Sequence, residues 1–108
     1  MEPSEDKHCI TLNNGMKLPI VGIGTWLMSD PKKDKEALKS AVRDAGYRHI
    51  DTASFYENEQ FIGEAVQELI KDGVVKREEL VITTKVWPAD FENVEAALRS
   101  SLEKLQVE

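Results

Sequence analysis

Three short apolar runs, each answered by a stripe of apolar residues at helical spacing, constrain this chain more than any single motif. The runs are Ile20–Trp26, the stretch from Tyr47 to Ile50, and Leu80–Thr84. The stripes are Leu38, Ala41, Val42 and Ala45, then Phe61, Ile62, Ala65, Val66, Leu69 and Ile70, then Val94, Ala97, Leu98, Ser101, Leu102 and Leu105. Spacings of three and four residues put each stripe on one helix face. Strands alternating with amphipathic helices imply a parallel sheet joined by right-handed crossovers. Ahead of the first unit, His8–Leu12 and Met16–Pro19 flank Asn13-Asn14-Gly15, and Asn-Gly between part-apolar runs predicts a hairpin because both residues tolerate positive φ.

Local chemistry sets the joints. Ser29-Asp30-Pro31 predicts the opening of the first helix, with proline preorganised for its first turn. Gly46 stops that helix in the left-handed conformation, Asn58 is placed to cap the second, Asp72-Gly73 ends it, and Pro88 breaks the run after the third strand. Lys32, Lys33, Lys35 and Lys39 fill the polar faces of the first helix and read as a solvated surface. The Gly22-x-Gly24 pair lacks the third glycine and following helix of a dinucleotide fingerprint. Glycines in a strand do mark close approach of a backbone or a ligand.

In parallel α/β folds the loops beyond the carboxyl ends of the strands carry the chemistry. Asp51 ends the second strand, Tyr56 lies five residues on, and Lys85 ends the third. Neighbouring strands are about 4.8 Å apart, so the three side chains can meet. A free tyrosine, with pKa near ~10, is a poor acid at neutral pH, and an adjacent ammonium makes it a better one by stabilising the phenolate. The ammonium in turn needs a counter-charge, which Asp51 supplies. Read from these residues alone, Asp51–Lys85 is equally a structural ion pair, and Tyr56 a packed aromatic.

The stretch Gly46-Tyr47-Arg48-His49-Ile50-Asp51-Thr52-Ala53-Ser54-Phe55-Tyr56-Glu57-Asn58-Glu59 resembles the motif of the aldo-keto reductases, closest to the aldose and xylose reductase branch. The resemblance covers nearly the whole chain. It implies an α/β fold made of an N-terminal β-hairpin plus the first three βα units of a (β/α)₈ TIM barrel, incomplete in this chain. It also implies reduction of aldehydes or ketones with hydride from NADPH. Tyr56 would be the general acid, Lys85 the lysine that tunes it, and Asp51 the partner of that lysine, close to the cofactor. Gly24, Thr25 and Trp26 would lie at the nicotinamide end, and Trp26, Tyr56 and Trp87 would wall the substrate pocket. On residues alone Trp26 is as well explained by the core. Leu27 stands where many relatives carry a polar or basic residue. The preference for NADPH over NADH, and for NADP⁺ as product, comes from the resemblance only.

A (β/α)₈ barrel takes about 250 residues, and this chain has 108. The histidine that the family carries at the end of its fourth strand has no counterpart, since the only histidines are His8 and His49. Three parallel strands leave two edges and a half-covered apolar face. The expectation is therefore an amino-terminal part or truncated form, inactive and aggregation-prone alone, of a monomeric carbonyl reductase. The competing expectation is a non-catalytic interaction or regulatory short form that needs a partner for its open edge. A channel-subunit relative of the same fold fits Arg48-His49 and Asn58-Glu59 less well. The first seven residues, polar and acidic, are expected to be a disordered lead without secretory character. A net charge of −6 with interspersed cations argues against nucleic-acid and membrane partners, and the small-molecule carbonyl substrate is what the resemblance implies. One cysteine, Cys9, permits no internal disulfide and is compatible with a reducing compartment, with the cytoplasm the default expectation. No metal site is expected.

Overall fold

The structure, a computed structural model, describes residues 8–108, so the lead expected to be disordered lies outside the described residues. The chain begins with a hairpin: β1 (Cys9–Thr11) pairs antiparallel with β2 (Lys17–Pro19), in the register Cys9 to Pro19 and Thr11 to Lys17. Its loop is wider than a two-residue turn. The N–H groups of Leu12 and Gly15 donate to the carbonyls of Met16 and Leu12, and the Asn14 carboxamide accepts from the Met16 N–H at 3.0 Å. Of the three turn residues only Gly15, at φ +87°, uses the positive-φ region.

Three βα units follow: β3 (Ile23–Gly24) with α1 (Lys33–Arg43), β4 (His49–Asp51) with α2 (Glu59–Lys71), and β5 (Val81–Thr83) with α3 (Val94–Leu105). The strands are parallel in the order β3-β4-β5. The first apolar run contributes only two residues to the ladder, because the Trp26-Leu27 segment turns away. The Met28 N–H donates to Thr25 O, and Leu27 takes φ +70°.

Register decides which side chains share a face. Ile23, Ile50 and Ile82 are aligned across the sheet, and all three join the core. The helices cover that face with Leu38 and Val42 from α1 and with Phe61, Ile62, Ala65, Val66 and Leu69 from α2, closed by Val75, Leu80 and Leu105. Gly63 makes the α2–α3 approach possible. A Cβ there would stand 2.4 Å from Lys104 O and 2.7 Å from Leu105 Cα, a backbone that cannot step aside cheaply. Gly24, Asp51 and Thr83, aligned one position on, occupy the opposite face.

The joints are built from different groups than the sequence suggests. Helix α1 starts two residues after Pro31. Its opening is held by a reciprocal pair of carboxylates: Asp30 accepts from the N–H groups of Lys32 and Lys33, and Asp34 accepts from those of Ser29 and Asp30. The donated backbone N–H groups of Lys33 and Lys32 hold the Asp30 carboxyl below its ordinary range. Gly46, at φ +83°, turns the chain out of α1 as expected, and α2 ends on a Schellman motif with Gly73 at φ +77°. Two of the four lysines read as a solvated face are not free. Lys35 and Lys39 both reach Glu68 on α2 at 2.8 Å and clamp the two helices together. No described helix is long and apolar enough to cross a membrane.

Candidate active site

Asp51, Tyr56 and Lys85 are brought together at the carboxyl end of the sheet. Lys85 Nζ donates to Asp51 Oδ1 at 2.8 Å and to the Thr52 carbonyl at 2.8 Å, and lies 5.2 Å from the centroid of the Tyr56 ring. Burial works against the Lys85 ammonium. The hydrogen bond and charge of Asp51, helped by the Tyr56 phenol, outweigh it and hold the lysine pKa above its ordinary value. The amine therefore stays cationic at neutral pH. The side chains of Lys85 and Asp51 are 47% and 41% exposed, and an ion pair so open to water contributes at most about 1 kcal/mol to stability. Its geometry matters more than its energy: a cation is fixed beside a phenol on the face the helices leave uncovered.

The loops that carry these groups are tied to one another. Thr25 donates both its N–H and its hydroxyl to Asp51 O, at 3.1 and 3.0 Å. Asn58, expected as a helix cap, makes no cap hydrogen bond. Its carboxamide donates to the carbonyls of Thr25 and Met28 at 2.7 and 3.1 Å and accepts from the Thr52 hydroxyl at 3.1 Å. The carboxamide oxygen that would cap the helix is taken by the Thr52 hydroxyl, while its N–H groups satisfy two loop carbonyls that would otherwise be left without a donor. Ser54 donates its N–H and its hydroxyl to Lys85 O, both at 3.2 Å.

The remaining candidates fall into two groups. Gly24 ends β3 beside Asp51, and a Cβ there would meet nothing within 4 Å, so the space over it is open. Trp26 is 64% exposed and is not a core residue. Trp87 stacks on Phe55 with ring centroids 3.9 Å apart, 14° from parallel, and together they form an apolar wall beside the trio. Thr25 is different: it is fully buried, its N–H and hydroxyl are committed to Asp51 O and its carbonyl accepts from the Asn58 amide and the Met28 N–H, so it braces the loop and does not face the open side as a cofactor contact would. His49 lies at the start of β4, away from the carboxyl ends. Pro19 O can only accept, so Nδ1 (3.3 Å) carries the hydrogen and Nε2 accepts from the Thr83 hydroxyl at 2.9 Å. Among the described residues, no group of three or more His, Cys, Asp or Glu side chains is placed to hold a metal ion.

The residues missed in the sequence are Thr52, Ser54 and Glu59. Thr52 offers Lys85 its carbonyl and Ser54 grips the Lys85 carbonyl, and a bond with a backbone atom at one end leaves no residue-type signal. Glu59 is an acid only 2% exposed, and its oxygens accept from the Thr84 and Ser101 hydroxyls at 2.6 and 2.9 Å. An acid at the first position of a helix with an apolar stripe reads as ordinary dipole compensation, which hid its burial.

The sequence model of the Aldo/keto reductase family matches residues 20–108. The chain is 44% identical over 102 residues to the NADP-dependent D-sorbitol-6-phosphate dehydrogenase of Malus domestica, covering 92% of this chain and 31% of that protein. It is 50% identical over 103 residues to aldo-keto reductase family 1 member A1 of Bos taurus, covering 93% of this chain and 31% of that one. Among solved structures it superposes on a Bombyx mori aldo-keto reductase in complex with NADP at a TM-score of 0.83, with 40% identity over 92% of this chain and 34% of that one. The aldose reductase of Schistosoma japonicum gives a TM-score of 0.82 with 39% identity, over 92% of this chain and 33% of that one. The chain thus spans about a third of the length of the relatives it matches. With the hairpin, three βα units and the Asp51–Lys85–Tyr56 cluster at the carboxyl end of its parallel strands, this chain belongs to the aldo/keto reductase family, as the amino-terminal third of that family's α/β barrel.

Proposed function

We propose that this chain supplies the proton-donating end of an NADPH-dependent carbonyl reductase of the aldo-keto reductase type, with a small aldehyde or ketone as substrate. The observation that carries the reading is the position of Lys85 Nζ, 2.8 Å from Asp51 Oδ1 and 5.2 Å from the Tyr56 ring centroid. In this reading the Tyr56 hydroxyl donates its proton to the carbonyl oxygen as the alcohol forms. The Lys85 ammonium stabilises the phenolate left behind, and Asp51 holds the ammonium in place. A bound nicotinamide would supply the hydride.

The open space over Gly24, exposed Trp26 and the half-exposed Asp51 carboxylate fit such a group, since a planar ring needs room and a polar anchor. Phe55 and Trp87 offer the substrate an apolar wall, and exposed Trp26 is a further apolar side chain. The working protein is read as a monomer from the resemblance, and the single cysteine of this stretch is compatible with a reducing compartment such as the cytosol.

The test is a chimera in which this chain replaces the matching third of the bovine relative. Tyr56→Phe should lower kcat for a simple aldehyde by at least about a hundredfold, with NADPH consumption as the readout. Turnover that survives the substitution would overturn the assignment. A second reading, an interaction module with no catalysis, is favoured by the large apolar side chains exposed outside the site, Val21, Phe91 and Leu98 among them. An inactive chimera with unperturbed folding would favour it.

A further inference from the structure

Among the described residues, Glu59 is the one buried carboxyl that the mechanism above does not use. It begins α2, is 2% exposed, and has no ion-pair partner among the described residues. Its charge is met by the positive end of α2 and by two hydroxyls, Thr84 at 2.6 Å and Ser101 at 2.9 Å. A carboxyl so deeply buried is costly to desolvate, and an apolar side chain in its place would leave the buried Ser101 hydroxyl without a partner. Where Glu59 attaches gives it a role. Thr84 immediately precedes Lys85, and the Lys85 carbonyl is gripped on its other side by the N–H and hydroxyl of Ser54. Ser101 belongs to α3, whose closing residues pack against Gly63 of α2.

Resting on the proposed reductase reading, we infer that Glu59 is a positioning residue: through the Thr84 hydroxyl it fixes the carboxyl end of β5 and so sets where the Lys85 ammonium stands relative to Asp51 and Tyr56. The anchor has two sides. Glu59 and Ser101 tie the strand end to the helix layer, and Ser54 ties it to the loop that carries Tyr56. Lys85 alone has a flexible four-carbon stem, so the precision of its Nζ depends on how firmly its backbone is held. The carboxylate, with two strong acceptor oxygens, takes both hydroxyls at once. A carboxamide can keep the same shape by accepting from one hydroxyl and donating to the other.

The experiment is a pair of measurements on Thr84→Val, Glu59→Gln and Glu59→Ala. The first follows the Lys85 amine by NMR of lysine carrying ¹³C next to Nζ, in the full chain. Thr84→Val, which keeps the side-chain shape, should move the Lys85 titration midpoint down toward that of a free lysine. Glu59→Ala should do the same, and Glu59→Gln should leave it in place. The second measures kinetics in the chimera. Thr84→Val should lower kcat about tenfold with KM for the aldehyde changed less than twofold, a split that a general loss of packing would not produce.

A Thr84→Val chain with an unmoved Lys85 titration and unchanged kcat overturns the inference, whatever happens to its melting temperature. If Glu59→Ala fails to fold, Thr84→Val decides. Should Tyr56→Phe retain turnover, the reductase reading fails, and the Lys85 titration still decides whether Glu59 positions that lysine.

Discussion

The two faces of the three-stranded sheet are made by alternate residues of the same strands, and they do opposite work. On one face Ile23, Ile50 and Ile82 disappear under α1 and α2, in a core where Leu38, Val42, Ile62 and Val66 have no exposed surface. One residue further along each strand, Gly24, Asp51 and Thr83 look the other way, onto the face opposite the helices. The first face is apolar, close-packed and replaceable by any side chains of the right volume. The second holds a glycine, an acid and a hydroxyl in fixed positions and contributes little to holding the fold together. Stability and chemistry are thus separated by a single residue of register, and a one-residue slip of β4 would exchange Ile50 for Asp51.

Substitutions can break or sharpen that separation. The largest effect is expected from Ile62→Ala in the helix-covered face. Removing a fully buried side chain should cost about 2–5 kcal/mol, enough to unfold much of a small domain, with urea unfolding followed by circular dichroism as the measure. Lys85→Met should divide the two properties cleanly. Its stability change should stay within about 1 kcal/mol, while turnover in the chimera falls with the loss of the cation. A loss of stability comparable to that of Ile62→Ala would show that the open face is structural after all.

A smaller effect is expected on the helix side. Hydrogen bonds from Lys35 and then Lys39 pull the Glu68 carboxyl from 4.5 down to about 2. A carboxyl depressed in the folded state stabilises above its unfolded pKa and loses that contribution as pH falls through the folded one. The α1–α2 clamp should therefore weaken between about pH 4.5 and about pH 2. Glu68 is 40% exposed, so screening keeps the change small. Comparing urea midpoints of the natural chain and Glu68→Gln across that window should show the difference shrinking as pH drops. A difference that stays constant would mean the pairs contribute nothing.

The smallest effect belongs to the open side. Leu27 sits at φ +70°, where a residue with a Cβ is strained by about 1–2 kcal/mol. Leu27→Gly should release that strain against an entropic cost of about 0.5–1 kcal/mol. The expected result is a slightly higher urea midpoint, and a lower one would show that the leucine is held by favourable contacts.

The division between the faces also explains what could be read from the sequence. The core face was legible because burial imposes a period: the spacing of Phe61, Ile62, Ala65, Val66 and Leu69 announces a helix, and all five are buried. The trio was legible because strand ends and loop residues carry function, and because the motif around Asp51 is specific. Less legible were interactions whose partner is a backbone atom. Nothing about Asn58 in a sequence says that its amide reaches the carbonyls of Thr25 and Met28 in preference to capping α2. Ser54, Thr52 and the double hydrogen bond of Thr25 are invisible for the same reason. Lys35 and Lys39 were misread because a helix face open in isolation is half-covered once α2 packs beside it.

The cross-ties among the loops set the terms on which this scaffold could be redesigned. Loops beyond the strands of such barrels are usually treated as interchangeable parts, each free to be swapped for a new specificity. Here the segment after β3 hangs on the Asn58 amide, the segment after β4 hangs on Thr25, and the backbone after β5 hangs on Ser54. Grafting one of them without its anchor would loosen the other two. A library that keeps Thr25, Ser54 and Asn58 constant while varying positions 26–27, 55 and 86–90 would search new pocket walls on an intact frame. One that randomises whole loops would spend most of its members on chains whose acid and cation no longer meet.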